Sequence, residues 1–339
     1  MSHELILKKL YEAKDLTFDE TRLLIGEIMK GEMDPAQIAG ILIALKIKGE
    51  TPAEIGGAAR ALQEAAVSVP TARTHVIDTC GTGGDGQHSI NISTAAAIVL
   101  AAAGQPVAKH GNRAVSSRSG SADVLEALGV AIELGPEGNG KLLDELGICF
   151  LYAPRYHLAT KHVMPVRRAL GTRTLFNLIG PLSNPVRPYA QVLGVNSEAM
   201  LEPMAQALLG MGAERAFVVH GAGMDELALH GSTLIIAVEG GGLRHLEVNP
   251  EAIGLDPAPP TDLTGGTAED NAALLRDVLG GKDRGPRARA IALNAAAGLV
   301  LTGAEDDWAA AARRCLELMA SGEPLRLLER WAAASRDLR

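Results

Sequence analysis

One stretch of the 339-residue chain has the residue order of a phosphate site. The glycine run GTGGDG at 81–86 follows a predicted strand, and the polar run QHSINIST at 87–94 leads into an apolar helix. Glycines at a strand end let backbone N–H groups close around an anion. Ser93 or Thr94 then stands near the N-cap of the helix, whose amino end also attracts anions. This order predicts a phosphate or pyrophosphate site.

The same glycines allow other interpretations. Gly81, Gly83 and Gly86 satisfy the GxGxxG pattern of dinucleotide-binding folds. That pattern requires a helix that opens at the glycines and an acidic residue about 20 residues later. Here eight polar residues intervene, and the next predicted strand ends in Lys109-His110. No Lys-Ser/Thr follows the glycines, which excludes a Walker A loop. A glycine-rich turn without a ligand is the remaining alternative.

A second polar stretch follows the next predicted strand, at 106–129. If the two strands are parallel neighbours, their carboxyl ends lie side by side, where open α/β sheets bind ligands. Cations would then oppose phosphate charge, while amide and hydroxyl groups would satisfy sugar oxygens. The alternative is a solvated surface loop. The polar residues of this stretch are Lys109, His110, Asn112, Arg113, Ser116, Ser117, Arg118, Ser119 and Ser121.

An acidic pair follows a third predicted strand. In HGAGMDEL at 220–227, glycines turn the chain and Asp225 and Glu226 come next. Two carboxylates beside a pyrophosphate suit Mg²⁺, which prefers hard oxygen ligands and shares its coordination with substrate phosphates. The alternative is an acid pair that the dipole favours at a helix start.

An arginine pair lies within a predicted helix that Gly171 ends. Arg167 or Arg168 could face the cleft, where a planar guanidinium can form two parallel hydrogen bonds with a carboxylate. The alternative is a solvent-exposed arginine.

The elements that position these residues change character near residue 68. Residues 1–67 predict four short helices, because Thr17-x-x-Glu20 is a capping box and Asp34-Pro35 and Thr51-Pro52 repeat that start signal. After residue 68, seven short apolar strands alternate with helical patterns. Such alternation predicts βαβ units and a mostly parallel sheet. We therefore expect a small helical domain at 1–67 and a larger α/β domain at 68–339.

Composition excludes several classes of protein. Hydrophobic residues make up 47% and the net charge is −8, with no long basic run, so nucleic acid is not an expected partner. The longest apolar run, at 95–103, is far shorter than the roughly 20 residues of a membrane span. The charged N-terminus lacks the apolar region of a signal peptide. We expect a cytoplasmic protein with no membrane partner.

Taken in order, the motifs resemble the anthranilate phosphoribosyltransferase family. They are GTGGDG, NIST, KHGNR, SSRSG, PVRR, RTLFNLIGPLSNP and HGAGMDEL, together with KGETPAEIGGAARAL at 48–62 and NAAAGL at 294–299. The resemblance implies a helical domain joined to an α/β domain, with the helix near 163–170, within a segment 163–185, returning to the helical domain. It also implies a homodimer, a Mg²⁺ cofactor, and transfer of a phosphoribosyl group to anthranilate in tryptophan biosynthesis.

The same resemblance implies roles for individual residues. Ser93, Asp225 and Glu226 would hold Mg²⁺, and Gly81, Asn112 and Arg167 would contact anthranilate. One departure concerns the acceptor side, because His157-Leu158-Ala159-Thr160 stands where the family often has His-Pro-Ala-Met. The residues implied to bind phosphoribosyl pyrophosphate are Gly81, Gly84, Asp85, Ser89, Asn91, Ile92, Ser93, Thr94, Lys109, His110, Gly111, Asn112, Arg113, Ala114, Val115, Ser116, Ser117 and Ser121.

Two alternatives and one mechanistic expectation complete the sequence analysis. Pyrimidine nucleoside phosphorylases have a similar fold but are longer and carry a lysine-bearing phosphate loop that this chain lacks. A non-catalytic nucleic-acid-binding relative would need a basic surface, which the isoelectric point of about 5.6 disfavours. No nucleophile with its own activating base is evident, so we expect direct displacement at ribose C1 without a dedicated general base. His110 is the rival candidate for such a base.

Overall fold

The computed structural model describes residues 3–114 and 118–339. Its seven strands are β1 (Ile77–Gly81), β2 (Val107–Gly111), β3 (Ile148–Tyr152), β4 (Ala190–Gly194), β5 (Arg215–Gly221), β6 (Thr233–Glu239) and β7 (Gly242–Val248). Its helices are α1 (His3–Tyr11), α2 (Phe18–Lys30), α3 (Pro35–Lys48), α4 (Pro52–Glu64), α5 (Ile92–Ala102), α6 (Ser121–Ala127), α7 (Pro136–Leu146), α8 (Ala153–Tyr156), α9 (Met164–Leu170), α10 (Phe176–Ile179), α11 (Leu201–Gly210), α12 (Ala268–Leu279), α13 (Pro286–Thr302), α14 (Trp308–Ser321) and α15 (Glu323–Asp337).

The first four helices start where their capping residues predict. At α2, the Thr17 hydroxyl accepts from Glu20 N at 3.2 Å, and the Glu20 carboxylate accepts from Thr17 N at 2.7 Å. These bonds satisfy two N–H groups that have no partner inside the helix. Helix α2 ends at Gly31, whose φ of +78° suits a residue without a Cβ. The same capping box opens α3 at Asp34–Gln37 and α4 at Thr51–Glu54.

A later segment of the chain packs against this bundle. Val163 and Val166 of the α9 region, with Phe176 and Ile179 of α10, are buried in the same apolar cluster as Ile41 of α3. Helix α11 also packs against α4. The bundle therefore buries its inner face against chain that follows β3 and β4.

The seven strands form one sheet in the order β3-β2-β1-β4-β5-β6-β7. The first five in this order are parallel, and β6 and β7 add an antiparallel edge. The chain winds outward from β1 in one direction and from β4 in the other, so the strand order reverses between them. Open α/β sheets bind ligands beyond the carboxyl ends of strands at such a point. The mostly parallel sheet expected from the sequence is confirmed.

Two apolar helices, α5 and α13, pack together against the sheet. Helix α5 is apolar on all sides, as expected for a helix enclosed by other elements. At Gly298 of α13, a Cβ would lie 2.7 Å from Leu100 Cδ1 of α5, so the glycine permits this close contact. The packing fixes the amino end of α5 beside the end of β1. No helix within the described ranges is long and apolar enough to cross a membrane.

Candidate active site

The glycine loop lies at the point where the strand order reverses. Strand β1 ends at Gly81, directly beside Gly194 at the end of β4. Thr82 N donates to Gly194 O at 2.9 Å, and Asn196 Nδ2 donates to Gly83 O at 3.1 Å. The loop is thus held against β4, and three of its glycines adopt a positive φ: Gly83, Gly84 and Gly86.

The N-cap of the helix after this loop lies two residues before Ser93, the earlier of the two positions that the sequence suggested. Asn91 is the N-cap of α5, so Ser93 and Thr94 lie inside the first turn rather than at the cap. The Asn91 amide makes no capping bond, because it donates to Ser119 O at 3.1 Å and its oxygen accepts from Asn271 Nδ2 at 2.9 Å. Nearby, Ser89 pairs with the 254–267 loop in an isolated bridge to Thr264, and the Ile92 side chain is buried.

Lys109 brings a buried positive charge beneath this first turn. The side chain leaves β2, is 3% exposed, and donates to Thr79 O and, at 3.3 Å, to Ser93 Oγ. The ammonium group therefore lies behind Ser93 rather than in open solvent. Burial raises the pKa of Asp78 on β1, while the charge of Lys109 opposes that shift. The sequence predicted that Lys109 lies close to the glycine loop, but it did not predict that the side chain is buried.

The acidic pair faces the same crevice from the loop after β5. Asp225 Oδ2 accepts from Gly83 N at 2.6 Å, and Glu226 Oε1 accepts from Ser93 N at 3.1 Å. At Gly81 a Cβ would lie 2.5 Å from Asp225 Oδ2, so any side chain at this position would displace the Asp225 carboxylate. Residues 222–232 form turns, which excludes the helix-start interpretation of the acid pair.

Burial makes both carboxyl groups hold their protons unusually tightly. Burial, with the nearby charge of Asp85, raises the pKa of Asp225 to about 7. Burial and the charge of Asp225 raise the pKa of Glu226 to about 8, against the lowering influence of Lys109. The crevice therefore contains more acidic groups than it can stabilise as anions by itself, which is the environment that a bound cation would relieve.

The donor set fits Mg²⁺ as an ion shared with a phosphorylated substrate. No three His, Cys, Asp or Glu side chains within residues 3–114 and 118–339 are arranged as a metal cluster. A magnesium ion bound through one or two carboxylates and substrate phosphates does not need such a cluster. Asp225, Glu226 and the hydroxyl of Ser93 offer the hard oxygen ligands that this mode of binding requires.

The loop after β2 is hydrogen-bonded to the carboxylate of Asp123 on α6. One Asp123 oxygen accepts from Ala114 N at 2.8 Å and from Gly120 N at 2.9 Å, and the other accepts from Arg113 Nη1 at 3.0 Å. Arg113 also pairs with Glu126, so two carboxylates neutralise its charge.

Three further residues close this loop against α6. At Gly111 a Cβ would lie 2.2 Å from Ser121 Oγ, and the Ser121 hydroxyl donates to Asn112 O at 3.3 Å. The predicted phosphate-binding residues Val115, Ser116 and Ser117 lie outside the described residues.

His110 faces the protein interior. Its Nε2 lies 3.1 Å from Nε2 of His157, and burial lowers the pKa of both imidazoles, that of His157 to about 4. Both rings are less than a tenth exposed. His110 therefore packs against His157 and is not placed to remove a proton from a substrate.

Arg167 carries a half-buried guanidinium without an acidic partner among the described residues. Its Nη2 donates to Asn177 Oδ1 at 3.4 Å, and its Cζ lies 5.5 Å from the centre of the Phe176 ring. Burial lowers the pKa of this arginine. The helix that carries it ends at Gly171, as predicted. An uncompensated cation of this kind is suited to receive a carboxylate.

Sequence reasoning missed three residues that shape the crevice. Arg173 lies over the glycine loop, with Nη1 3.0 Å from where a Cβ of Gly84 would stand. Asn196 binds the loop from the end of β4. Asn294 on α13 binds the segment that follows the acidic pair. The family motifs RTLFN and NAAAGL contain the first and the last, but no spacing rule connects them to the loop.

Comparison with known proteins identifies the class and the family. Family models described as a glycosyl transferase helical bundle domain and a glycosyl transferase a/b domain match residues 4–66 and 73–325. An anthranilate phosphoribosyltransferase of Idiomarina loihiensis is 50% identical over 324 residues, which cover 96% of each chain. The crystal structure of the Thermus thermophilus anthranilate phosphoribosyltransferase has a TM-score of 0.92 at 47% identity, and covers 98% of this chain and 99% of that one.

A more distant solved structure carries ligands. The anthranilate phosphoribosyltransferase of Saccharomyces cerevisiae in complex with PRPP and Mg has a TM-score of 0.88 at 27% identity, and 99% of each chain is covered.

The helical bundle, the α/β sheet and the crevice at its switch point thus define a glycosyl transferase. Within that class, the chain belongs to the anthranilate phosphoribosyltransferase family, on 50% identity over 96% of its length. The fold class and the family resemblance predicted from the sequence are both confirmed.

Proposed function

We propose that the protein transfers the phosphoribosyl group of 5-phosphoribosyl 1-pyrophosphate to the amine of anthranilate. The products are N-(5-phosphoribosyl)anthranilate and pyrophosphate, in tryptophan biosynthesis. The observation that carries the proposal is the meeting of the glycine loop, Lys109 and the pair Asp225 and Glu226 at one crevice, with Arg167 on the neighbouring segment. The family name of its relatives agrees with this assignment.

The donor half-site lies over the ends of β1 and β2. Loop N–H groups and the first turn of α5 can donate to phosphate oxygens, and Lys109 places a positive charge behind Ser93. The hydroxyls and amides proposed to bind the ribose and its phosphate lie on the loop after β2. We assign to this half-site Gly81, Gly84, Asp85, Ser89, residues 91–94, residues 109–117 and Ser121.

Mg²⁺ is proposed to bind at Asp225, Glu226 and Ser93. When bound, it supplies positive charge that stabilises the leaving pyrophosphate. The protein's own contribution is to hold two carboxyl groups whose pKa values are raised by burial. It also holds them within hydrogen-bonding distance of the loop N–H groups.

The acceptor half-site is proposed around Gly81, Asn112 and Arg167. The guanidinium of Arg167 donates to Asn177 and lies near the Phe176 ring, and it can donate two parallel hydrogen bonds to the planar carboxylate of anthranilate. Arg173 connects the two half-sites, because its chain segment follows α9 and its guanidinium lies over Gly84.

The chemistry needs no dedicated base. The amine of anthranilate is aniline-like and neutral at pH 7, so its lone pair is available to attack ribose C1. Attack forms the C–N bond as the C1–O bond to pyrophosphate breaks, with inversion at C1, and the amine proton then passes to the released pyrophosphate or to water. Positioning of two substrates and stabilisation of departing charge then supply the acceleration. The inward orientation of His110 supports a mechanism without it.

We also propose that the protein is a cytoplasmic homodimer with no nucleic-acid or membrane partner. Each chain has a domain at 1–67 and a domain at 68–339. Leu5 and Tyr11 of α1 and Ile47 of α3 are large apolar side chains that remain exposed, with Ile47 at 81%. Such side chains on adjacent helices favour an interface between copies. Sedimentation should give twice the 35.3 kDa of one chain, and Ile47→Lys should shift the mass toward the monomer.

Product analysis tests the proposed activity. The protein, 5-phosphoribosyl 1-pyrophosphate, anthranilate and Mg²⁺ are incubated and followed by ³¹P NMR. Pyrophosphate should appear in equal amount to a new phosphoribosylated aromatic amine, and neither should form when anthranilate is omitted. Pyrophosphate release at the same rate without anthranilate would make the protein a hydrolase of this donor. Conversion of a pyrimidine nucleoside and phosphate would favour the phosphorylase alternative.

A further inference from the structure

One buried polar side chain interrupts the apolar helix α13. Asn294 is 3% exposed and lies among alanine, leucine and isoleucine residues of that helix. A buried amide costs free energy unless all of its donors and acceptors are bonded. The partners of Asn294 therefore indicate why a polar residue stands here.

Asn294 is fully bonded, and its main partner is the backbone of Leu227. Its Oδ1 accepts from Leu227 N at 2.9 Å, and its Nδ2 donates to Leu227 O at 3.0 Å and to Ala290 O at 2.9 Å. One side chain thus binds both polar groups of a single backbone residue, and that residue directly follows Glu226 in the chain.

The segment that carries the acidic pair has no regular structure of its own. Its conformation depends on contacts from other elements, since residues 222–232 form turns and bends with one isolated bridge, between Gly221 and Met224. Gly83 N and Ser93 N bind the carboxylates of Asp225 and Glu226, but a phosphorylated substrate would compete for those same donors. The bonds from Asn294 go to the backbone of Leu227, so such a substrate would not compete for them.

Asn294 and Glu226 also line the same small cavity. Both line a cavity of about 10 Å³, together with Ser93 and Gly194, between the first turn of α5 and the ends of β4 and β5. That volume corresponds to roughly one water molecule. Asn294 and Glu226 therefore border the same small volume next to Ser93.

We propose that Asn294 is a positioning residue for the acidic pair. By fixing the backbone of Leu227, it keeps Asp225 and Glu226 directed at the glycine loop and the first turn of α5. This inference rests on the proposed role of the pair in binding a Mg²⁺–diphosphate group. The side-chain bonds of Asn294 all go to backbone atoms of Leu227 and Ala290, and it acts through the geometry of its neighbours.

The test compares Asn294→Leu with a matched control. Asn139 is also a buried asparagine, on α7, where its Nδ2 donates to Tyr156 Oη at 2.6 Å, away from the crevice. Asn139→Leu therefore removes a buried amide of similar burial without touching the acidic pair. Three quantities are measured in each variant: hydrogen exchange of residues 222–230, Mn²⁺ binding by EPR in the presence of 5-phosphoribosyl 1-pyrophosphate, and the KM for anthranilate.

We expect Asn294→Leu to speed exchange in residues 222–230 and to weaken Mn²⁺ binding about 10–100-fold, as loss of such support does at other metal sites. The KM for anthranilate should change less than about twofold, and Asn139→Leu should leave Mn²⁺ binding unchanged. Should Asn294→Leu fail to fold, Asn294→Asp keeps the size and the acceptor and loses the donor to Leu227 O and Ala290 O. We expect the same results for Asn294→Asp as for Asn294→Leu.

Unchanged Mn²⁺ binding in a folded Asn294 variant would overturn the inference, as would an equal loss in Asn139→Leu. The variant Asp225→Asn with Glu226→Gln separates this failure from that of the proposed function. If that double variant loses Mn²⁺ binding while Asn294 variants keep it, only the positioning role is wrong. If the double variant also binds Mn²⁺ normally, the metal assignment itself is wrong.

Discussion

The backbone N–H of Gly83 donates to Oδ2 of Asp225 at 2.6 Å, across 142 positions of sequence. This bond joins the phosphate-type loop after β1 to the acidic segment after β5. A diphosphate that accepts from the same N–H would displace the carboxylate and leave it available to a cation. The geometry therefore couples anion and cation binding within one crevice, which suits a substrate that arrives as a metal–diphosphate complex.

The acidic pair predicts a fall in stability with rising pH in the cation-free protein. The fold raises the pKa values of Asp225 and Glu226 to about 7 and about 8, so the folded chain binds these protons more tightly than the unfolded chain. The resulting contribution to the free energy of unfolding is fully present below the carboxyl pKa of the unfolded chain. It is lost as the pH rises through the pKa values of the folded chain. His110 and His157, whose pKa values are lowered, oppose this trend only below about pH 6.5.

Urea unfolding in EDTA between pH 6.5 and 8 measures this effect. The midpoint of the wild-type chain should decrease across that window. Asp225→Asn with Glu226→Gln should show a flatter profile, because neutral amides replace both titrating groups. A profile of equal slope in the two proteins would contradict the assigned pKa directions.

Removal of the Lys109 charge should act on the phosphorylated donor. Lys109→Met keeps the length of the side chain and removes the charge behind Ser93. A charge-assisted hydrogen bond contributes about 1.5–3 kcal/mol, so the KM for 5-phosphoribosyl 1-pyrophosphate should rise about tenfold to a hundredfold. Steady-state kinetics should show a much smaller change for anthranilate. The exposed Lys141→Met serves as control, and an unchanged donor KM in Lys109→Met would refute the placement.

Substitution of Arg167 should have the opposite selectivity. Arg167→Lys retains a positive charge but cannot form two parallel hydrogen bonds with a carboxylate. The KM for anthranilate should rise by about tenfold, with binding of the phosphorylated donor nearly intact. Arg168→Lys, one position along the same helix, is the matched control. Equal losses for both substrates would make Arg167 structural or assign it to the phosphate, and Arg168 would then be the next candidate.

His110 should be dispensable for proton removal. Its Nε2 lies against His157, and burial lowers the pKa of the ring, so it stays uncharged near neutral pH. His110→Ala should cost less than the roughly 10²–10⁴-fold loss typical of a general base. Stopped-flow single turnovers over pH 6–9 measure the chemical step directly. A steep pH dependence that disappears in His110→Ala would establish His110 as the base.

The parts that the sequence predicted depend on local signals or on strand order. Thr17 and Glu20 are three residues apart, so their capping box is visible without any tertiary information. The meeting of Lys109 with the glycine loop follows once β1 and β2 are parallel neighbours. For the same reason, the location of the crevice could be predicted before any side-chain contact was known.

The parts that the sequence did not predict depend on long-range contacts. Ser93 or Thr94 was expected near the N-cap of α5, yet Asn91 is the N-cap and its amide oxygen accepts from Asn271, which is 180 positions away. The burial of Lys109 follows from the packing of α5 against β2, which no spacing rule contains. Asn294 and Leu227 are 67 positions apart, and only the folded chain brings them together.

Anthranilate fluorescence tests the central claim most directly, since the claim joins the transfer reaction to the acidic pair at one crevice. The wild-type protein mixed with 5-phosphoribosyl 1-pyrophosphate and Mg²⁺ should consume anthranilate and make its fluorescence decay. Omission of the donor, or of Mg²⁺ with EDTA present, should stop the decay. Asp225→Asn with Glu226→Gln, shown to be folded by circular dichroism, should remove most of it. Decay at the wild-type rate in that double variant, or in EDTA, would contradict the account.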